Sequence, residues 1–228
     1  MAKALIIEDD HEIAADLAKL MSLSGWKVET SYNGADGLQL LSQFSYDLLL
    51  LDWCLPDLTG LEICKRYRNS GGTMPIIFIT GQSAIEYKES GLDAGGDDYL
   101  TKPFDERELM ARVRNAMRRP RAIVELGTMR MGALNFDSRV RTISDGTKKV
   151  QLTAAEYSVV EYLLRHKGEA FSAAQLFTAI WQSDSEASEE TVRVHIRIIR
   201  RKFELAQLPT IIEHKRGFGY SIAEPSNE

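Results

Sequence analysis

Apolar positions along the first half of the chain follow two rhythms. ALII (residues 4–7) is apolar without a break, as in a strand covered on both faces. Residues 11–23 carry apolar side chains at Ile13, Leu17 and Leu20 and at Ala14, Ala18 and Met21, a spacing that predicts a helix. WKVETSY (26–32) alternates like a strand, and Gly25 before it stops the helix. The exchange then repeats: helix over 35–44, apolar strand over 47–51, helix over 61–67, strand over 75–80, helix over 85–94, strand over 98–100 and helix over 106–117. Five strand–helix units with near-continuous apolar strands predict a parallel sheet with helices on both faces. Sites in such sheets form beyond the carboxyl ends of the strands. The run LLLLD (48–52) therefore delivers Asp52 to the sheet edge, where its charge need not be buried.

The second half reads differently. RRPRAIVEL (118–126) is basic, then apolar, with Pro120, and reads as a linker. Strand-like pieces follow between turn signals, of which Asp145-Gly146 is a good hairpin signal. Residues 152–168 predict a helix with Thr153 as N-cap, Glu156 completing a capping box and Gly168 as the stop. Ser172 can cap a second helix over 173–181, a polar loop spans 182–188, and a third helix covers 189–205. The chain closes with a hairpin around Gly217-Phe218-Gly219. At about 100° per residue, Val192, Ile196, Ile199 and Phe203 of the third helix share one stripe and are expected to pack inward. Opposite them fall Val194, Arg197, Ile198 and Arg201, with Glu190 among them. Arg193 and Arg200 lie on one flank, and Thr191, His195 and Lys202 on the other.

Length and charge sharpen this division. The 228 residues suit one large domain or two modest ones, and 44% apolar content allows each half a core. The net charge of −5 hides an asymmetry: residues 1–120 hold 13 basic and 19 acidic side chains, and residues 121–228 hold 15 and 14. Residues 191–202 contain five basic side chains and no acid. An acidic first half and a basic helix in the second suggest two tasks. No apolar run approaches the roughly 18 residues of a membrane span, and the start, MAKALIIEDD, is too short for a signal peptide. A cytoplasmic protein is expected, with Cys54 and Cys64 as plain buried thiols without metal-type spacing.

The candidate chemistry sits at the strand ends. Glu8 and Asp9 follow the first strand, Asp52 the third, Thr80 the fourth, and Lys102-Pro103 the fifth. Each acid alone could be a turn or cap residue. Gathered at one edge, three carboxylates repel unless a cation joins them. Oxygen ligands alone suit a hard divalent ion, Mg²⁺, and Lys102 adds a movable charge. The set suits phosphoryl transfer onto a carboxylate, with Asp52 as nucleophile and the Thr80 hydroxyl donating to a phosphoryl oxygen. A phosphatase of the aspartyl-nucleophile kind needs a second Asp two positions on, where this chain has Cys54. No GxxxxGK is present to cradle a nucleotide. The basic third helix, with Val194 and Ile198 on its outer face to meet thymine methyl groups, fits a DNA major groove, whereas a merely solvated basic helix would not need them.

On the motifs LIIEDD, LLLLDWCLPDLTG, PIIFITG and GGDDYLTKPF, residues 1–119 resemble the receiver domain of response regulators, a flavodoxin-like α/β fold. The resemblance implies Asp52 as phosphoacceptor, and Mg²⁺ held by Asp9, Asp52 and the Trp53 carbonyl with Glu8 acting through water. It implies Thr80 and Lys102 on the phosphoryl group, Tyr99 as an aromatic switch residue and a cis Lys102–Pro103 peptide. Gly81 and Gly96 stand where alanine is common, which is expected to loosen the surrounding loops. After a linker at 120–125, residues 126–224 resemble the smaller α+β winged helix-turn-helix effector of OmpR/PhoB-type regulators, on VQLTAAEYSVVEYLL, TVRVHIRIIRRKFE and KRGFGY. This resemblance implies a recognition helix contacting DNA through Thr191, Arg193, Val194, His195, Arg197, Ile198, Arg200 and Arg201. His214 lies in the wing, Arg216 there reaches a minor groove or phosphate, and the loop 182–188 touches RNA polymerase. Glu190, Arg193 and His214 depart from common family residues, so the DNA sequence read should differ. Activation in the family pairs two receivers, here through Lys88 with Glu108, Asp98 with Arg112 and Asp97 with Arg119. The expectation is a regulator phosphorylated by a sensor histidine kinase, a homodimer when active, with no enzymatic role beyond its own phosphotransfer and dephosphorylation. The alternatives are a regulator independent of phosphate and a phosphotransfer protein whose second half binds only protein.

Overall fold

A computed structural model describes residues 1–81, 90–117, 128–181 and 189–223. The chain divides into two compact units, Met1–Met117 and Arg118–Glu228. Residues 120–125 lie outside the described residues.

The first unit contains β1 (Lys3–Ile7), α1 (His11–Leu23), β2 (Lys27–Ser31), α2 (Gly34–Gln43), β3 (Leu48–Asp52), α3 (Gly60–Asn69), β4 (Ile76–Thr80), β5 (Asp98–Thr101) and α4 (Glu106–Ala116). Of the helix expected over 85–94, residues 90–93 are described and are helical. The five strands form one parallel sheet in the order β2-β1-β3-β4-β5. Ala4, Ile6, Leu48, Leu50, Ile77 and Ile79 point to one face and form a core with Leu17 and Met21 of α1 and Leu109 and Val113 of α4. On the other face α2 lies so close to β1 that a Cβ on Gly37 would stand 2.4 Å from Ile7 Cδ1. The four leucines of β3 are wholly buried, which fixes the strand at the sheet centre. Each such side chain contributes about 1.5–3 kcal/mol.

Helix starts follow local hydrogen bonding. The Asp10 carboxylate accepts from the Glu12 and Ile13 N–H groups. A capping box of Thr59 and Glu62 opens α3 earlier than its apolar spacing predicts, at Gly60. Gly60 is held against β3: a Cβ there would meet the Asp52 carbonyl oxygen at 2.2 Å. The expectation that Gly96 loosens its loop is corrected, because a Cβ there would meet Phe78 Cε2 at 2.7 Å and Gly91 O at 3.0 Å. Small size at Gly96 permits close packing. Cys64 is buried, its thiol donating to the Ala94 carbonyl, but Cys54 is exposed, since it follows the strand rather than lying in it.

The second unit starts with a four-stranded antiparallel sheet, β6 (Thr128–Met131), β7 (Leu134–Asp137), β8 (Thr142–Ser144) and β9 (Lys149–Gln151). Gly146 in the β8–β9 turn takes φ +97°, as the Asp-Gly signal anticipates. Three helices follow, α5 (Ala154–Arg165), α6 (Ala173–Trp181) and α7 (Glu189–Leu205), then the hairpin of β10 (Ile212–Lys215) and β11 (Gly219–Ile222). The unit is a winged helix-turn-helix with its own core, into which α7 sends Val192, Ile196, Ile199 and Phe203. The capping box of Thr153 and Glu156 is present. The buried Glu156 also accepts from Lys202 at 2.6 Å, joining the start of α5 to α7.

The Gly60→Ala variant should be destabilised by about 1–3 kcal/mol because the new methyl meets backbone. Gly81→Ala, with nothing within 4 Å of its Cβ, should change stability by about 0.5 kcal/mol or less. Urea titration followed by far-ultraviolet circular dichroism compares them; equal midpoints for the two variants would contradict the close approach.

Candidate functional site

Parallel pairing brings the ends of β1, β3, β4 and β5 to one edge. The register sets Asp52 beside Ile79 and Thr80 beside Thr101. The Lys102 N–H then donates to the Thr80 carbonyl at 2.7 Å, which turns the chain at the end of β5 so that the lysine reaches back. Its Nζ lies 2.7 Å from Glu8 Oε1 and 3.2 Å from Asp52 Oδ2. Glu8, Asp9 and Asp52 can each offer an oxygen with all three within 4.8 Å of one another. The Lys102–Pro103 peptide is cis.

The cluster is deeper than the sequence suggests. Glu8 is 1% exposed and Asp52 6%, while Asp9 is open to solvent. The expectation that Asp52 escapes burial is therefore corrected: the carboxylate is covered, with the Lys102 ammonium 3.2 Å from it. Burial raises the Glu8 pKa to about 7, against the opposing hydrogen bond from Lys102 and with added repulsion from Asp52. Burial alone would lower the Lys102 pKa, but Glu8 and Asp52 outweigh it and hold the ammonium above its usual range. Glu8 Oε2 is buried and has no hydrogen-bond partner among the described residues. A buried acceptor left open between two further carboxylates, with oxygen donors only, fits a hard divalent cation, and the exposed Asp9 leaves an entry path.

The surrounding loop is braced. Asp57 accepts from the Gly34 and Ala35 N–H groups at 2.8 Å each, tying the segment after Asp52 to the start of α2. The Trp53 carbonyl, expected to face a metal, accepts the Gly60 N–H at 3.0 Å. One of its two lone pairs is thereby engaged by the start of α3, and the other stays available beside the three carboxylates. Thr80 and Tyr99 are both buried, with the Arg112 guanidinium 5.8 Å from the Tyr99 ring centroid.

Within the single chain, the charges expected to pair between copies have partners of their own. Asp98 and Arg112 are buried and joined within the chain at 2.8 Å, and Arg112 also holds Glu108 at 2.7 Å. Asp97 binds Arg68 at 2.9 Å and accepts from the Ile76 N–H. Buried charges take the nearest opposite partner, and Arg68 also serves the Gly72, Met74 and Gly95 carbonyls. Asp97, Asp98 and Arg112 are thus not open surface charges. Lys88 and Arg119 lie outside the described residues, as does the loop 182–188.

On α7, Arg193, Arg197 and Arg201 are exposed at a spacing of four, which makes one cationic stripe. Arg193 is paired with Glu189 and, at 3.3 Å, with Glu190. The wheel placed Val194 and Ile198 among them, but they are 1% and 8% exposed. Thr191 and His195 are buried too, with the His195 ring 5.6 Å from that of Trp181. Apolar side chains gain by leaving water, and a wheel records angle without recording what covers each side. Arg200 is half-buried and donates to the Ile212 carbonyl at 3.1 Å, so it braces the hairpin. His214 and Arg216 are exposed on that hairpin.

A buried acid cluster at the edge of a five-stranded parallel sheet, followed by a winged helix-turn-helix, defines a two-component regulator of transcription. Family models agree: the response regulator receiver domain matches residues 4–114, and the C-terminal domain of transcriptional regulatory proteins matches 146–222. Response regulator MprA of Mycobacterium tuberculosis is 32% identical over 224 residues, covering 97% of each chain. The uncharacterized transcriptional regulatory protein YkoG of Bacillus subtilis is 36% identical over 220 residues, 96% of each. Among solved structures, DrrB of Thermotoga maritima, an OmpR/PhoB homolog, shares 26% identity at a TM-score of 0.52 over 98% of this chain and 99% of its own. A mutant of RitR shares the fold at a TM-score of 0.76 and 23% identity over 99% and 100%. The chain belongs to the OmpR/PhoB-type response regulators. No helix among the described residues is long and apolar enough to cross a membrane.

Glu8 gives the acid cluster a pH signature. Folded, it keeps its proton to about pH 7; unfolded, it loses it near 4.5. The stability carried by the neutral form is complete below the lower value and is lost as pH rises through the higher one. In chelator-treated protein, Glu8→Gln should gain stability over wild type between about pH 5 and 8, and added Mg²⁺ should favour wild type. Parallel urea midpoints across that range would contradict this burial.

Proposed function

We propose that the chain is a phosphorylation-controlled DNA-binding regulator, with Asp52 as acceptor of a phosphoryl group from a sensor histidine kinase. The observation that carries this reading is the buried Asp52 carboxylate held 3.2 Å from Lys102 beside the open oxygen of Glu8. An Asp52 oxygen attacks phosphorus, the bond from phosphorus to the histidine nitrogen breaks, and its electron pair leaves with the imidazole. Lys102 offers its charge to a phosphoryl oxygen and the Thr80 hydroxyl donates to another. Asp9, Asp52 and the Trp53 carbonyl, with Glu8 acting through water, would hold Mg²⁺, which when bound neutralises charge on the phosphoryl oxygens. A groove of about 590 Å³ beside Lys102, lined by Ile13, Leu20, Leu23 and Phe104 together with Asp16, Lys19 and Glu106, offers a mixed apolar and charged surface for docking the kinase.

Thr80 and Tyr99 carry the change outward in this reading, and two copies pair. Pairing requires Asp98 and Arg112, now joined within the chain, to exchange partners. Two basic helices then reach two half-sites and gain effective concentration. The exposed stripe Arg193, Arg197 and Arg201, with Arg216 of the hairpin, supports contact with promoter DNA, and the loop 182–188 is proposed to meet RNA polymerase. A cytoplasmic setting and the lack of enzymatic activity beyond the chain's own phosphotransfer belong to the same proposal.

Incubation with acetyl phosphate and Mg²⁺ should add one phosphoryl mass to wild type and none to Asp52→Ala, and should strengthen binding to promoter fragments in a salt-dependent manner. Equal labelling of Asp52→Ala would remove the acceptor role. Labelling without any DNA binding would favour a phosphotransfer protein, and DNA binding without labelling a phosphate-independent regulator.

A further inference from the structure

The β10–β11 hairpin ends in a side chain that neither site uses. Its strands pair from Ile212 with Ile222 to Lys215 with Gly219, which leaves Arg216, Gly217 and Phe218 to make the turn. Gly217 takes φ +81°, and the Phe218 N–H donates to the Lys215 carbonyl at 2.9 Å. This tight turn directs Phe218 away from the protein, 73% exposed. The base of the hairpin is fixed. Gly219, at φ +111°, lies so close to the segment before α6 that a Cβ would stand 2.1 Å from the Phe171 carbonyl oxygen. Phe171 and Tyr220 exchange both backbone hydrogen bonds, at 2.8 and 2.9 Å, and Arg200 holds the Ile212 carbonyl. The aromatic ring is carried on a braced arm.

One exposed phenylalanine on a mixed surface is ordinary. Phe218 differs in its setting, because His214, Lys215 and Arg216 beside it are all exposed. Basic side chains attract a polyanion, while a ring held in water gains only from an apolar contact. The minor groove of a DNA duplex supplies both, with phosphates along its rims and sugar and base edges as its walls. Phenylalanine is among the side chains that wedge there and bend the duplex. We propose that Phe218 is a DNA-contacting residue that seats in the minor groove, with Lys215 and Arg216 on the flanking phosphates. This rests on the DNA-binding reading above. The ring adds a contact that favours easily deformed base steps and carries no charge.

The test uses full-length protein treated with acetyl phosphate and the tightest duplex enriched from a random pool of about 30 base pairs, long enough for two half-sites. Affinity is measured across a salt series for wild type, Phe218→Ser, Phe218→Leu and Arg216→Ala. Phe218→Ser should bind about tenfold more weakly at every salt concentration, with the slope of log affinity against log salt unchanged. Phe218→Leu, still apolar, should stay within about threefold of wild type. Arg216→Ala should lower the slope by about 1. Wild-type affinity in Phe218→Ser, or a slope change like that of Arg216→Ala, would overturn the assignment while leaving DNA binding intact. A wild-type protein that enriches no duplex would overturn the DNA-binding reading itself, and the Phe218 assignment with it.

Discussion

The bridge from the Lys102 ammonium to Glu8 and Asp52 is the contact on which the first unit depends. Two carboxylates buried side by side carry a cost of desolvation and repulsion, and one lysine at 2.7 and 3.2 Å offsets only part of it. The remainder falls on Glu8, whose pKa rises to about 7 and whose second oxygen has no hydrogen-bond partner among the described residues. The site is therefore built with a shortage of positive charge. In the proposed reading a divalent cation relieves it from one side, with Lys102 already bridging Glu8 and Asp52 on the other. The fold maintains this strained arrangement because β3 is wholly buried and cannot shift, and because the Gly60 N–H and the Asp57 caps hold the loop after it.

The second unit distributes its charges in another way. Glu156 and Lys202 lock α5 to α7 in a half-buried pair, and Arg200 is committed to the hairpin. Arg193, Arg197 and Arg201 remain exposed along α7, with Lys215 and Arg216 on the wing. Positive charge used for structure is thus separated, residue by residue, from positive charge that faces outward. Arg193 sits between: its pairs with Glu189 and Glu190 must compete with any phosphate that approaches. Glu190 and Arg193 are two of the positions at which the sequence departs from the residues expected of the family.

Much of this was legible in the residues. The unbroken leucines of β3, the alternation of β2, the capping box at Thr153 and Glu156 and the Asp145-Gly146 turn each state their structure locally, and the strand ends place Glu8, Asp9, Asp52, Thr80 and Lys102 together. What stayed hidden depends on contacts distant in sequence. The partner of Asp97 is Arg68, which lies 29 positions away and which no spacing rule selects. The depth of Asp52 and the covering of Val194 and Ile198 depend on neighbours that strand spacing and a helical wheel do not contain. The hydrogen bond from the Gly60 N–H to the Trp53 carbonyl likewise rests on a close approach that shows only in three dimensions.

The shortage of positive charge at the acid cluster has one direct test. Crystals of the full chain soaked in Mn²⁺, a surrogate for Mg²⁺ with the same oxygen preference, should show an anomalous difference peak bound by the Asp9 and Asp52 carboxylates, with Lys102 moved off at least one of its two partners. An empty cluster with Lys102 still bridging Glu8 and Asp52 at saturating Mn²⁺ would contradict the account.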